Sequence, residues 1–257
     1  MIARPSSAPL VVAHRGDSRN FPENTLEAVK GAIALGADVV ELDVHRSADD
    51  VAIILHDREL ARTTGRAGRV DSLTAAEIGG LDAGSWRGAC HAGAKVPRLA
   101  DVAAATAESG MRLCLEFKDG DYRAPDDAAR WLVDQFVRFA LHRRAVVNLA
   151  SADIAARVKR LDPAIRIALD CERRATGAEA AALAASLAAA GASLIELEHS
   201  AVTADMVQAC AGAGLAVWAW TANAPADWDR LDAAGVDAIL TDDPAGLLRH
   251  LAARAQI

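Results

Sequence analysis

No C-x-x-C pair occurs in this chain. Its four cysteines, Cys90, Cys114, Cys171 and Cys210, are scattered, a spacing that shows neither a zinc site nor a dense disulfide framework and suits a reducing compartment. No G-x-G-x-x-G and no Walker motif is present, so neither familiar glycine-rich phosphate loop is available. No run of ~18 apolar residues suggests a transmembrane helix. The opening MIARPSSAPL lacks the ~7–15-residue apolar stretch of a secretory leader. A cytoplasmic location without stable membrane insertion is therefore expected. Positive charge is also in deficit, with 28 Lys and Arg against 35 Asp and Glu and a net charge of -7. General nucleic-acid binders are usually basic, so no nucleic-acid partner is expected. A small anionic substrate stays compatible, because a cationic pocket can sit in an acidic protein.

What is present is a chain of 257 residues with 52% apolar and 25% charged residues, a globular composition. That length suits two small domains or one α/β barrel of ~250 residues. Leu10 to Ala13 reads as a first strand, ending at His14-Arg15-Gly16. Asn24, with Glu27 three residues on, looks like a capped helix start, and Gly36 is placed to end that helix. A second strand follows at 38–43. Residues 44–97 break the pattern. They hold a strand candidate, Val51 to Leu55, ending at His56-Asp57, a Thr74/Glu77 helix start and many glycines, and read as one insertion. Alternation then resumes with helices at 98–109, 126–141, 152–161, 178–190, 203–213 and 225–234, and a last helix from Pro244. Strands are expected at 111–117, 145–149, 165–169, 193–198, 215–220 and 236–241. Eight strands in β-α order favour a closed (β/α)8 TIM barrel with a small insertion after strand two. The open doubly wound sheet is the alternative. The chain, 1–257, is read as a single catalytic barrel domain, with the insertion at about 44–97.

In such barrels the active site lies at the C-terminal strand ends. Glu41 and Asp43 share one face of strand two, and Glu116 takes the same place on the next barrel strand. Carboxylates gathered this way repel unless a cation or proton separates them. Hard oxygen ligands point to one divalent cation, Ca2+ or Mg2+ with Mn2+ possible, whereas zinc usually draws more His or Cys. An isolated E-x-D is more often a surface ion pair; the third acid favours metal. His14 and His56, at loop mouths, are candidates for general acid and base. Arg15 and Lys118 could each hold a phosphoryl oxygen, although Arg15 could instead pair with Glu41 or Glu23, and Lys118 with Glu116. Trp218 suits interior packing, and Trp220, nearer the strand end, could wall an alcohol. These residues together read as a metal-assisted phosphodiesterase.

The segments HRGDSRNFPENTLEA, ELDVHRSADDVAIILHD and LARTTGRAGRVDSLTAAEI, with LEFK at 115–118, WTAN at 220–223 and LTDDP at 240–244, resemble the glycerophosphodiester phosphodiesterases over nearly the whole chain. H-R-G, P-E-N-T, E-x-D and H-D in this order are specific as a set. The resemblance implies a (β/α)8 barrel with an insertion after strand two. It implies a divalent metal at the positions of Glu41, Asp43 and Glu116, an acid/base pair at His14 and His56, and phosphate contacts at Arg15 and Lys118. The implied reaction is hydrolysis of glycerophosphodiesters to glycerol 3-phosphate and an alcohol. In the family picture the glycerol hydroxyl attacks phosphorus first and water opens the resulting cyclic phosphate. Two departures stand out: Asp49-Asp50 replaces a frequent glycine, and Val147-Asn148-Leu149-Ala150-Ser151 lacks a frequent Ser-Phe pair. They leave the head-group preference open. The alternatives are a non-catalytic phosphodiester-binding module and a lysophospholipase D-like hydrolase of acylated phosphodiesters.

Overall fold

Apolar strand runs alternate with capped helices along the chain, and the strands close into a ring. The computed structural model describes residues 8–118 and 123–254; residues 1–7, where the expectation of no leader partly rests, lie outside that range. Parallel strands β1 (Leu10–His14), β2 (Val39–Arg46), β4 (Arg112–Phe117), β5 (Ala145–Leu149), β6 (Ile167–Cys171), β7 (Leu194–Glu198), β8 (Ala216–Trp220) and β9 (Ala238–Thr241) form the barrel. They follow one another in sheet order, and β1 pairs with both β9 and β2, which closes the ring. Around them lie α1 (Leu26–Leu35), α4 (Leu99–Ala107), α5 (Pro125–Arg138), α6 (Ala152–Leu161), α7 (Gly177–Ala189), α8 (Ala204–Gly212), α9 (Pro225–Ala234) and α10 (Pro244–Arg254). This is the expected TIM barrel.

Alternation of side chains sorts each strand into two faces. Val40, Leu42, Leu113, Leu115, Val147 and Leu149 face outward into a core completed by α5 and α6 residues such as Leu132, Phe136 and Ile154. Leu10, Val12, Val39, Cys114, Val146, Leu194, Trp218 and Leu240 fill the barrel interior, which confirms the packing role expected of Trp218. Above that plug the inward positions turn polar. The register sets Asp43 beside Glu116, His14 beside Glu41, Glu116 beside Asn148 and Asp170 beside Glu196. Residues distant in sequence thus meet at the C-terminal mouth.

Three local details differ from the sequence-based expectation. The helix cap of α1 is Thr25, whose hydroxyl accepts from the Ala28 amide, and not Asn24. Asn24 lies one residue too early, in the left-handed region (φ 57°), and its amide is engaged elsewhere. Gly36 does end the helix, at φ 75°. Strand β2 runs three residues past Asp43 because Val44, His45 and Arg46 pair antiparallel with β3 (Ala52–Ile54), a hairpin that a purely parallel reading misses. Strand β6 starts at Ile167 instead of 165, since the Asp162–Ile165 turn occupies the preceding residues; the shift brings Asp170 into the strand. The insertion also holds the short helices α2 (Ala61–Thr64) and α3 (Ala75–Gly79), the latter with the expected Thr74/Glu77 capping box. It packs its own small cluster, with Ile53, Leu60, Val70 and Ile78 fully buried.

Leu132 on α5 is 1% exposed inside the outer core. Leu132→Ala should lower stability by about 2–5 kcal/mol, read as a fall in urea midpoint at constant slope. A loss below ~1 kcal/mol would mean that α5 is not packed on the barrel as described.

Candidate active site

The mouth is built around Glu41, Asp43 and Glu116. One carboxylate oxygen from each lies within 4.8 Å of the others. Glu41 and Asp43 are 2% and 1% exposed, so water cannot screen them well. Burial, together with the neighbouring Asp43 and Glu116, pushes the Glu41 carboxyl well above the usual carboxylate range. Burial and Asp43 push Glu116 up to about 7. Asp43 goes the other way. Burial favours its neutral form, but Lys118, Arg15 and His56 together hold it well below the ordinary value.

Each acid is fixed by a defined partner. The Arg15 backbone amide donates to Glu41 Oε2 at 2.9 Å. Arg15 has φ 58°, a region unfavourable to a branched or long side chain, and that conformation belongs to the loop aiming its N–H at the carboxylate. A Cβ on the next residue, Gly16 (φ 85°), would lie 2.6 Å from the Ala28 carbonyl carbon, so only glycine lets this loop sit on α1. Asn24 grips Asp43 twice: its amide donates to Oδ2 at 2.8 Å, and its oxygen accepts from the Asp43 amide at 3.2 Å.

Two cations neutralise part of the cluster. Lys118 Nζ pairs with Glu116 and lies 3.2 Å from Asp43 Oδ1. Arg15 donates to Glu23 Oε1 at 2.8 Å, and its Nε lies 3.4 Å from Asp43 Oδ2. Both structural pairings weighed for these residues, Arg15 with Glu23 and Lys118 with Glu116, are present alongside their place in the cavity wall. Among the described residues, Glu41 Oε1 has no hydrogen-bond partner, and Asp43 Oδ1 has only the charge contact with Lys118. Buried oxygens left in that state suit a bound cation, and an all-carboxylate donor set suits a hard one.

His14 and His56 line the same cavity, of about 310 Å³. His14 Nδ1 lies 2.7 Å from Asp242 Oδ1, and His56 Nδ1 lies 2.7 Å from Asp57 Oδ1. Asp242 is held at about 2, burial being outweighed by the bond to His14 and by Asn223 and Ser18. Asp57 is likewise held low, burial being outweighed by Arg62 and His56. Ionised carboxylates only accept, so Nδ1 donates in each pair and Nε2 is left as the free ring nitrogen. His14 Nε2 sits 3.9 Å from Glu41 Oε2. His45, on the same face as Glu41 and Asp43, is buried, and its Nε2 meets the His56 carbonyl at 2.9 Å; it supports the His56 loop.

Trp220 lines the same cavity, and among the described residues its indole N–H has no partner. The cavity is also lined by the neutral Asn148 and three further acids, Asp170, Glu172 and Glu196. Glu196 is buried, accepts from Asn148 Nδ2 at 3.1 Å and meets Cys114 Sγ at 3.0 Å. Burial, then Asp170, pushes its carboxyl well up. These residues, and Asn24, Asp57 and Asp242, were not singled out as site residues from sequence. Asp57 and Asp242 carried a signal there, in the H-D and T-D-D-P segments; Glu196 carried none beyond parity with a strand end.

Residues 14–246 match the glycerophosphoryl diester phosphodiesterase family. A glycerophosphodiester phosphodiesterase of Caldanaerobacter subterraneus subsp. tengcongensis is 32% identical over 253 residues, covering 93% of this chain and 96% of the relative. Among solved structures, a phosphodiesterase of Oleispira antarctica in complex with the product sn-glycerol-3-phosphate superposes with a TM-score of 0.84 at 26% identity, covering 95% of this chain and 97% of that one. A glycerophosphodiester phosphodiesterase of Agrobacterium tumefaciens does so with a TM-score of 0.78 at 28% identity, covering 94% and 99%. With its strand-end acids and paired imidazoles on a TIM barrel, the chain belongs to the glycerophosphoryl diester phosphodiesterase family.

Proposed function

We propose that this protein hydrolyses glycerophosphodiesters to glycerol 3-phosphate and an alcohol, using one divalent cation and the His14/His56 pair. The observation that carries this reading is the convergence, in one cavity, of three strand-end carboxylates with two imidazoles, each backed by its own aspartate. A non-catalytic binding module would have no use for two imidazoles so oriented. The product-bound Oleispira antarctica relative adds support for the glycerol phosphate half.

Glu41, Asp43 and Glu116 would hold the cation, with Ca2+ and Mg2+ favoured and Mn2+ possible, by the hardness of their oxygens. When bound, such an ion polarises a phosphoryl oxygen as a Lewis acid. The chain's own residues do the rest. Arg15 and Lys118, both at the cavity, bind the remaining phosphoryl charge. One imidazole takes the proton of the attacking hydroxyl at Nε2. The other gives a proton to the departing alcohol oxygen as the old phosphorus–oxygen bond breaks; where the attacking hydroxyl is that of the glycerol, the cyclic phosphate so formed is then opened by water, the two imidazoles exchanging roles, to leave glycerol 3-phosphate. Both can play either part, since Asp242 and Asp57 fix their tautomers in the same way. Trp220 walls the organic part of the substrate. No described helix is long and apolar enough to cross a membrane; the scattered free thiols support a cytoplasmic setting. The whole chain is read as one catalytic unit, the insertion included, because His56 reaches the cavity from it.

Purified protein with Ca2+ or Mg2+ should release glycerol 3-phosphate from a glycerophosphodiester, and excess chelator should abolish this. His14→Ala and His56→Ala should each lower turnover by ~10²-fold or more. Turnover indifferent to chelator would remove the metal from the account. Asn24→Ala should weaken cation affinity by ~10–100-fold in calorimetric titration, because Asp43 loses its clamp. Unchanged affinity would mean that Asn24 only shapes the loop.

A further inference from the structure

The cavity holding the acids is one of two clefts that meet at His14 and Arg15. The second, of about 360 Å³, lies on the far side of those two residues. Its walls come from the loop after β1 (Ser18, Arg19), the insertion (Trp86, Arg87) and the loops after β8 and β9 (Asn223, Asp242). A phosphodiester carries two alcohol halves on one phosphorus. With phosphorus near His14 and Arg15, one half enters each cleft. Resting on the hydrolase reading above, the glycerol half is placed in the acid-lined cleft, whose carboxylates can accept from its hydroxyls, which leaves the second for the departing alcohol.

We propose that this second cleft selects a neutral, polyhydroxylated alcohol, with Trp86 and Arg87 as its specificity-determining residues. The groups already engaged there decide which alcohol fits. Trp86 is 40% exposed, an unusual state for so large an apolar side chain. Its indole N–H is tied to the Ala83 carbonyl at 2.8 Å, so the ring is held in place as a plate. Among the described residues, Arg87 has a single hydrogen-bond acceptor, the Arg19 carbonyl. A guanidinium has five N–H donors, so most of its capacity is available.

The carboxylates of the cleft are spoken for. Glu23 accepts from Arg15 at 2.8 Å and from Arg62 at 2.7 Å. Asp242 pairs with His14 and accepts from Asn223, both at 2.7 Å. An ammonium or trimethylammonium group would therefore find no uncommitted carboxylate and would face the Arg87 cation. A strongly anionic alcohol would meet Glu23 and Asp242. Hydroxyl groups fit both demands, accepting from Arg87 and donating to the one lone pair of Asp242 that His14, Ser18 and Asn223 leave open. The C–H face of a polyol would lie against the indole.

The test is a competition assay on the metal-loaded enzyme. Glycerophosphoinositol and glycerophosphoglycerol compete in one vessel with glycerophosphocholine and glycerophosphoethanolamine. Wild type, Arg87→Glu and Trp86→Ala are compared by ratios of kcat/KM, which do not depend on the fraction of enzyme folded. Wild type should favour the polyol diesters by roughly 10-fold or more, Arg87→Glu should reduce that ratio by about as much through KM, and Trp86→Ala should lower it as well. A wild-type preference for the cationic alcohols would overturn the proposal. So would ratios that stay within ~2-fold of wild type in both variants, including equal losses on all four substrates, which would mark a merely structural role. Should wild type cleave none of the four, the hydrolase reading itself fails and takes this inference with it.

Discussion

Three carboxylates buried at one barrel mouth repel one another, and the arrangement of everything around them answers that repulsion. Two are almost wholly removed from water. The protein meets the excess negative charge with Lys118 and Arg15, with the Arg15 backbone amide, and with the double grip of Asn24 on Asp43. The response is uneven. Asp43, which lies within 3.4 Å of both cations, is held low, while Glu41 and Glu116 are driven toward their neutral forms. The cation proposed above would take the place of those protons.

The surrounding backbone follows from the same demand. The loop after β1 places Arg15 and Asn24 in left-handed conformations within ten residues of each other, at φ 58° and φ 57°. Strain of that kind persists where the structure around it over-determines the geometry; here the return is one hydrogen bond to Glu41 and two to Asp43. The insertion serves the same mouth from the other side. It carries His56, whose carbonyl is held by His45 on the extended β2. It also supplies Arg62, which joins Glu23 to Asp57 and so links the partner of Arg15 to the partner of His56.

Much of this was legible in the sequence, for definite reasons. Apolar strand runs and terminal glycines marked the barrel, and parity along a strand placed Glu41 with Asp43. Glu116 followed once strand order was known, because parallel neighbours share a register. What escaped were features set by tertiary contact. Asn24 has the composition of a helix cap, and only the position of Asp43 gives it a different task. The antiparallel extension of β2 depends on a hairpin with β3 that strand–helix alternation does not encode. Asp170 and Glu196 look like ordinary strand-end acids until barrel closure sets them in one wall with Asn148. Asp242 directly follows β9, at the opposite end of the sequence from His14, and only the closing β1–β9 pairing makes them partners.

The central claim is that Glu41, Asp43 and Glu116 gather one hard cation within reach of His14 and His56. Anomalous diffraction from crystals grown with Mn2+ tests it most directly. The account predicts one strong peak between the three side chains, with oxygen distances of about 2.0–2.6 Å. A map with no peak there, with Lys118 still seated on Glu116 and the ion bound elsewhere, would contradict it.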